Sequence, residues 1–171
     1  DYDNYDTLVS TYSTSGTFIA INEYPNIDEQ SVQELLYFSS LGNTVFLSMK
    51  TMPQMLLDSL KLDFRSDFEL TNNTVLWFTN KNLGPETYNL IEGLGSNYFS
   101  KIDTLNTTIL GYQGTDKAFA NYIKVAYKDG DFLLHLQPAA FTNYNLLKEN
   151  HSEYAEKVLS YVPKGNIFWY T

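Results

Sequence analysis

Strand-like and helix-like apolar spacings alternate at the start of the chain, and this alternation limits the possible folds more than any other feature. The β-branched run Thr17–Ile21 has the length of a buried strand, and Thr44–Met49 is a second run of the same kind. Between them the apolar residues recur every three or four positions, which predicts a helix near Asp28–Leu41. Short strand–helix–strand connections predict parallel strands in an α/β protein.

The last forty residues predict a matching end to this fold. Phe132–Leu136 is an apolar run followed by a turn at Pro138, and a helix is predicted near Ser152–Tyr161, before a closing strand that reaches Trp169. We therefore predict a parallel core in which Phe132–Leu136 joins the two strands from the start of the chain.

Capping residues mark the expected helix ends. Asn26 with Glu29, and Asn150 with Glu153, have the three-residue spacing of a capping box. Gly42 is placed to close the first helix, because glycine readily takes the left-handed conformation found after helix ends.

The middle of the chain, residues 64–120, has a period of two and predicts an antiparallel β insertion within a single domain of residues 1–171. Asn72 and Asn73 are predicted to link a hairpin, and Asp129-Gly130 a second one that returns the chain to the main sheet. The strand candidates in and after this insertion are Phe68–Thr71, Thr74–Thr79, Tyr98–Ile102, Thr107–Leu110 and Tyr122–Tyr127.

Composition and charge argue against several kinds of function. The formal charge of −9 would repel a phosphate backbone, so nucleic acid is not expected as a partner. Thiol chemistry is excluded because the chain has 0 cysteines. The 2 histidines, His135 and His151, are not spaced as metal ligands, and we expect no metal and no cofactor.

Four stretches of the chain resemble an uncharacterised bacterial family, a domain of unknown function with a class I glutamine amidotransferase-like fold. The most specific of the matching residues are Leu133–Asn143. This resemblance implies a flavodoxin-like parallel sheet flanked by helices, whose first strand and helix would precede Asp1. It also implies a membrane-tethered protein, often encoded near MoxR-type ATPases, with this domain outside the cytoplasm and a protein partner at the membrane. The matching stretches are Ser31–Met49, Leu56–Leu60, Gly130–Leu147 and Tyr154–Trp169.

Catalytic residues of an amidotransferase are not found in this sequence. Such an enzyme needs a cysteine on a strand-to-helix elbow and a histidine to deprotonate it. Ser48 could replace the cysteine in position only, since no flanking glycine permits the sharp turn. We expect Ser48 to be an ordinary strand-end serine, His135 a hydrogen-bonded structural residue, and His151 a solvated residue at a helix start.

A polar cleft is expected where the parallel strands end, because ligands of open α/β sheets collect at the carboxyl ends of the strands. Two interpretations stay open at Thr142 and Asn143, which could line this cleft or merely cap the helix that follows. The candidate binding residues are Glu23, Lys50, Gln137, Thr142 and Asn143, with Tyr24 and Phe141 as walls.

Three functions are compatible with these observations. The first is a non-catalytic binding or assembly module of a membrane-anchored protein, favoured by the missing cysteine. The second is an enzyme of unrecognised class that uses Glu23, Lys50 and His135 together. The third is a glycan or peptide binder that uses exposed members of the 14 tyrosines and 2 tryptophans.

Overall fold

The computed structural model describes residues 15–67, 70, 74–84, 86–90, 92–148 and 150–170. Helices and strands alternate at both ends of this part of the chain, and the described middle consists of strands with a short 3-10 turn. The strands are β1 (Thr17–Ile21), β2 (Thr44–Ser48), β3 (Asp63–Ser66), β4 (Val75–Phe78), β5 (Asn97–Lys101), β6 (Thr107–Gly114), β7 (Phe119–Tyr127), β8 (Gly130–His135) and β9 (Ile167–Tyr170). The helices are α1 (Glu29–Ser40), α2 (Gln54–Leu60), α3 (Asn143–Leu146) and α4 (His151–Leu159), with 3-10 turns at Lys81–Leu83 and Pro138–Phe141.

Seven strands form one mixed sheet in the order β4-β6-β7-β8-β2-β1-β9. The last four strands in this order are parallel to one another, which confirms the predicted parallel core. Ile21 pairs with Ser48, and Ser48 with His135, so β1, β2 and β8 end at the same level. This alignment places the residues that follow all three strands at one edge of the sheet.

The other half of the main sheet is antiparallel. β8 pairs with β7, β7 with β6, and β6 with β4, while β3 and β5 form a separate antiparallel pair. The predicted hairpin link Asn72-Asn73 lies outside the described residues, as does the strand Phe68–Thr71 apart from Leu70. The mixed sheet therefore joins a parallel α/β half to an antiparallel half at β8.

The turn between β7 and β8 lies one residue earlier than predicted. Tyr127 and Gly130 close the hairpin, and its two loop residues are Lys128 and Asp129, the first in the left-handed region with φ 52°. Gly130 is required for another reason. A Cβ atom there would lie 2.2 Å from the carbonyl oxygen of Asn43, so only glycine permits this approach to the end of α1.

The first helix begins at a different cap from the one predicted. Asp28, rather than Asn26, accepts a hydrogen bond from the backbone N–H of Ser31 at 2.8 Å, and this bond lowers the pKa of its carboxyl group. The predicted Asn26–Glu29 capping box is therefore wrong. Gly42 follows the helix with φ 87°, as predicted.

The second predicted capping box is also wrong. Asn150 precedes α4 but makes no side-chain capping bond. Glu153 cannot reach back to it, because its carboxylate pairs with Lys157 at 2.5 Å and accepts a hydrogen bond from Tyr88 at 3.2 Å. This side of α4 is thereby fastened to the loop that follows β4.

Apolar layers cover both faces of the main sheet. Val45 and Leu47 of β2 face α1 and α2, whereas Phe46 faces the opposite way, toward Tyr154 and Val158 of α4. All five residues of β2 are buried, as expected for a central strand of a parallel sheet covered on both faces. Because β2 is fixed from both sides, the residues at its end have well-defined positions.

β9 differs from the other strands because all four of its residues are exposed. Trp169 has 58% of its surface exposed, and Phe168 rests on Phe38 of α1 with their ring centres 5.9 Å apart. Three tyrosines, by contrast, are almost fully buried: Tyr88, Tyr122 and Tyr154. Within the described residues, no helix has the length and apolar character needed to cross a membrane.

Candidate functional site

A cavity of about 280 Å³ opens at the edge where β1, β2 and β8 end. It lies where ligands are expected in an open α/β sheet, outside the carboxyl ends of parallel strands. Four of the seven predicted binding residues line it. Among the described residues, those that line it are Ile21, Asn22, Glu23, Lys50, Gly93, Pro138, Ala139, Phe141 and Thr142.

Glu23 and Lys50 form an ion pair on the wall of this cavity. The Nζ atom of Lys50 lies 2.6 Å from Oε1 of Glu23, and the backbone N–H of Lys50 donates to the carbonyl of Glu23 at 3.0 Å. Asn97 donates to the carbonyl of Lys50 at 2.6 Å, and the Lys50 stem packs beside Gly95. Only 19% of the Lys50 side chain is exposed, against 58% for Glu23. The Lys50 backbone is therefore fixed by two hydrogen bonds, and its mostly buried side chain places the ammonium group against the Glu23 carboxylate.

Gln137 does not line the cavity, contrary to the prediction. Its side chain is fully buried and spans the backbone of Gly95, accepting from the N–H and donating to the carbonyl, both at 2.8 Å. Its amide also donates to the side chain of Gln113 on β6. Gln137 thus acts as a clamp between the end of β8, β6 and the loop at residues 92–96.

Asn145 is a second clamp that the sequence analysis did not single out. Its side-chain amide donates to the carbonyls of Ala139 at 2.8 Å and Glu92 at 3.1 Å, and the residue is 1% exposed. Gly93 in the same loop has φ 81°, and a Cβ atom on it would lie 3.1 Å from the Cβ of Ala139. The available signal was the pair of glycines at 93 and 95, which marks a tight loop.

The remaining predicted binding residues have separate roles. Tyr24 is 62% exposed and does not line the cavity. Phe141 does line it, and its ring makes edge contacts with Phe46 and His135 at 6.2 Å and 5.9 Å between centres. One wall of the cavity is therefore an aromatic ring held by the core.

Thr142, not Asn143, caps the helix that follows. The Thr142 hydroxyl accepts from the backbone N–H of Asn145 at 3.4 Å and donates to the carbonyl of Ala139 at 2.8 Å. Asn143 is exposed, and its side chain makes no hydrogen bond within the described part of the chain. The prediction that Asn143 contributes a cap is therefore wrong.

Because Thr142 caps the helix and Asn143 does not, their alanine variants should differ in stability. We expect Thr142→Ala to lower the free energy of unfolding by about 1 kcal/mol, the usual cost of losing a cap. Asn143→Ala should change it by less than about 0.5 kcal/mol, as for other exposed positions. Chemical denaturation of both variants tests this, and an equal loss for the two would contradict the assignment of the cap.

His135 belongs to a buried hydrogen-bonded chain and not to the cavity. Its Nδ1 atom lies 2.8 Å from Oγ of Ser48, and its Nε2 atom lies 3.0 Å from the hydroxyl of Tyr154. Ser48 and His135 are 0% exposed and Tyr154 is 1% exposed. Glu23 and Lys50 meet as expected, but His135 does not join them.

Burial determines the charge state of this histidine. It lowers the pKa of the His135 imidazole to about 3 and raises the pKa of the Tyr154 hydroxyl, so both groups are neutral at pH 7. A neutral imidazole can accept at one nitrogen and donate at the other, which satisfies both of its contacts without a charge. This arrangement supports the structural role predicted for His135.

His151 differs from its prediction. It is 1% exposed rather than solvated, because the start of α4 packs against the rest of the domain. Within the described residues, no three His, Asp or Glu side chains lie close enough together to hold a metal ion.

Comparison with known protein families and with curated proteins finds no match to this sequence. Among solved structures, the chain is similar to the exo-β-1,4-mannosidase of Opitutaceae bacterium strain TAV5, with a TM-score of 0.55 and 11% identity. That similarity covers 80% of this chain and 24% of the mannosidase, so the chain spans about a quarter of its length. At this identity the likeness concerns the fold alone, a mixed α/β sheet flanked by helices.

Two further solved structures have lower scores. A β-galactosidase from Bacillus circulans sp. alkalophilus matches with a TM-score of 0.49 and 8% identity, over 89% of this chain and 23% of the enzyme. A cytoplasmic protein from Salmonella typhimurium matches with a TM-score of 0.47 and 8% identity, over 80% of this chain and 62% of that protein.

Proposed function

We propose that this chain is a non-catalytic binding module with a glutamine amidotransferase-like fold, and that it serves in the assembly of a membrane-anchored bacterial protein. The observation that carries the proposal is a preformed cavity at the expected ligand-binding edge of the sheet, where the described lining residues include no activated nucleophile. Such a cavity suits recognition better than covalent chemistry.

The groups that line the cavity argue against an acyl-transfer reaction. Thr142 supplies the one hydroxyl side chain among the lining residues that the structure describes, and that hydroxyl already donates to the carbonyl of Ala139. The Glu23 carboxylate, also on the lining, is paired with the Lys50 ammonium at 2.6 Å. Neither group has the adjacent free base that activates a nucleophile.

The buried Ser48–His135 pair does not supply the missing nucleophile and base. Both residues are 0% exposed, so a substrate carbonyl could not reach the serine oxygen without displacing the core. The second nitrogen of His135 faces Tyr154 rather than a carboxylate, and its lowered pKa makes it a weak base. The pair therefore supports a structural role at the end of β2.

The setting of the module follows from the family resemblance. That resemblance favours a tethered protein whose domain lies outside the cytoplasm, in the periplasm, with a protein partner at the membrane. The net charge of −9 disfavours anionic surfaces such as nucleic acid as partners. The anchor itself would be a separate segment of the protein.

A pair of activity assays tests the non-catalytic proposal. We expect no ammonia release from glutamine and no hydrolysis of p-nitrophenyl esters above the rate of buffer alone, because the chain has 0 cysteines and the described lining residues of the cavity include no free base. Ser48→Ala is the matched control and should match the unmodified protein in both assays. Turnover that disappears in Ser48→Ala would show that the protein is an enzyme.

A further inference from the structure

We propose that the strand-end cavity binds one neutral sugar ring, such as a pyranose unit of a glycan. This inference rests on the proposed function, because it names the ligand class of the same binding site. It is carried by three properties of the cavity: its size, its intact ion pair and its combination of aromatic and polar walls.

The volume of the cavity fits about one ring. A cavity of about 280 Å³ lies just below the roughly 300 Å³ at which pockets for drug-sized ligands begin. The loop at residues 92–96 cannot easily retreat to enlarge it, because Gln137 holds Gly95 and Asn145 holds Glu92. The cavity is open to solvent on one side, and a single sugar ring is of the right order to fill its enclosed part.

Charge favours a neutral ligand. An anion would need Lys50 to exchange its carboxylate partner at 2.6 Å, and an amino-acid zwitterion would have to separate Lys50 from Glu23. Because the two charges cancel, the pair offers no net charge to attract an ion, and with 58% of Glu23 exposed its own contribution to stability is small. A hydroxyl group can accept from the Lys50 ammonium or donate to the Glu23 carboxylate while the pair stays intact.

The remaining walls match the two kinds of surface on a sugar. Asn22 and Thr142 add polar side chains on the same cavity as the ion pair. Phe141, which is half-buried, supplies an aromatic ring on which the C–H face of a pyranose ring can pack. Because the Lys50 side chain already contacts Glu23 and Gly95, and the Phe141 ring already contacts Phe46 and His135, little side-chain freedom is lost on binding.

The test is saturation-transfer NMR with the methyl glycosides of glucose, galactose and mannose, followed by titration of each glycoside that gives a signal. We expect at least one glycoside to bind, and Lys50→Met and Glu23→Gln each to weaken it at least tenfold. Lys101→Met and Glu156→Gln are matched controls on exposed residues outside the cavity, and should bind as the unmodified protein does.

The possible outcomes separate this inference from the proposed function. Binding to none of the glycosides, binding that survives both cavity substitutions, or competition by L-alanine as a zwitterionic probe would overturn the sugar assignment alone. Hydrolysis of p-nitrophenyl glycosides that disappears in Glu23→Gln would instead overturn the non-catalytic proposal. Folding of every variant is checked by its thermal melting curve, and Glu23→Asp retains the charge if Glu23→Gln is unstable.

Discussion

Replacing Gln137 with leucine is expected to lower the free energy of unfolding by at least about 3 kcal/mol, and the melting temperature by about 10 °C. Leucine has nearly the same volume but makes none of the three hydrogen bonds that Gln137 makes with Gly95 and Gln113. The backbone groups of Gly95 would then be left buried without partners, at about 1–3 kcal/mol for each group.

This substitution should also affect the cavity, because Gln137 holds the loop that includes Gly93. Hydrogen exchange is the direct measurement, and the Gly95 amide should lose most of its protection in Gln137→Leu. Asn143→Ala is the control, since Asn143 was predicted from sequence to belong to the same site but is exposed. Equal stability of Gln137→Leu and the unmodified protein would contradict the role of Gln137 as a clamp.

The second large effect is a loss of stability on acidification, which His135 should cause. Its pKa is about 3 in the folded protein, against an ordinary value of 6.5 for histidine, so the unfolded chain binds a proton that the folded protein does not. Stability is therefore fully present above pH 6.5 and is lost as the pH falls toward 3. Between pH 7 and 5 the expected loss from this one group is about 2 kcal/mol.

Urea denaturation at pH 7, 6 and 5 measures this slope. His135→Gln should be less stable at pH 7, because it cannot bond both Ser48 and Tyr154, but its stability should depend much less on pH in this range. His151→Gln separates the two histidines. A slope that disappears in His151→Gln and persists in His135→Gln would contradict the prediction.

The parallel strands of the main sheet were predictable because they depend on local periodicity. The apolar runs that became β1, β2 and β8 are short and bounded by turn residues, and a buried parallel strand needs little else. Their shared level in the sheet then placed Glu23 and Lys50 together, since each closely follows its strand. The proximity of these two side chains was thus predictable from the sequence.

The side chains that failed prediction depend on contacts distant in the sequence. Gln137 was assigned to the cavity because it follows β8, but its direction is set by Gly95, 42 residues away. His151 is buried by packing that no local pattern shows. The cap of α1 was misplaced for a simpler reason, because Asn26–Glu29 and Asp28–Ser31 have the same spacing and only the structure distinguishes them.

The order of strands in the main sheet has a consequence for how this protein folds. β2 and β8 are neighbours, yet the Ser48–His135 contact between them joins residues 87 positions apart. Closing so long a loop costs entropy before any contact is gained, and a high contact order slows folding. Because the cavity exists only when the ends of β2 and β8 have met, we expect it to be among the last parts to form. During refolding, the ability to bind ligand should therefore recover later than the helix content does.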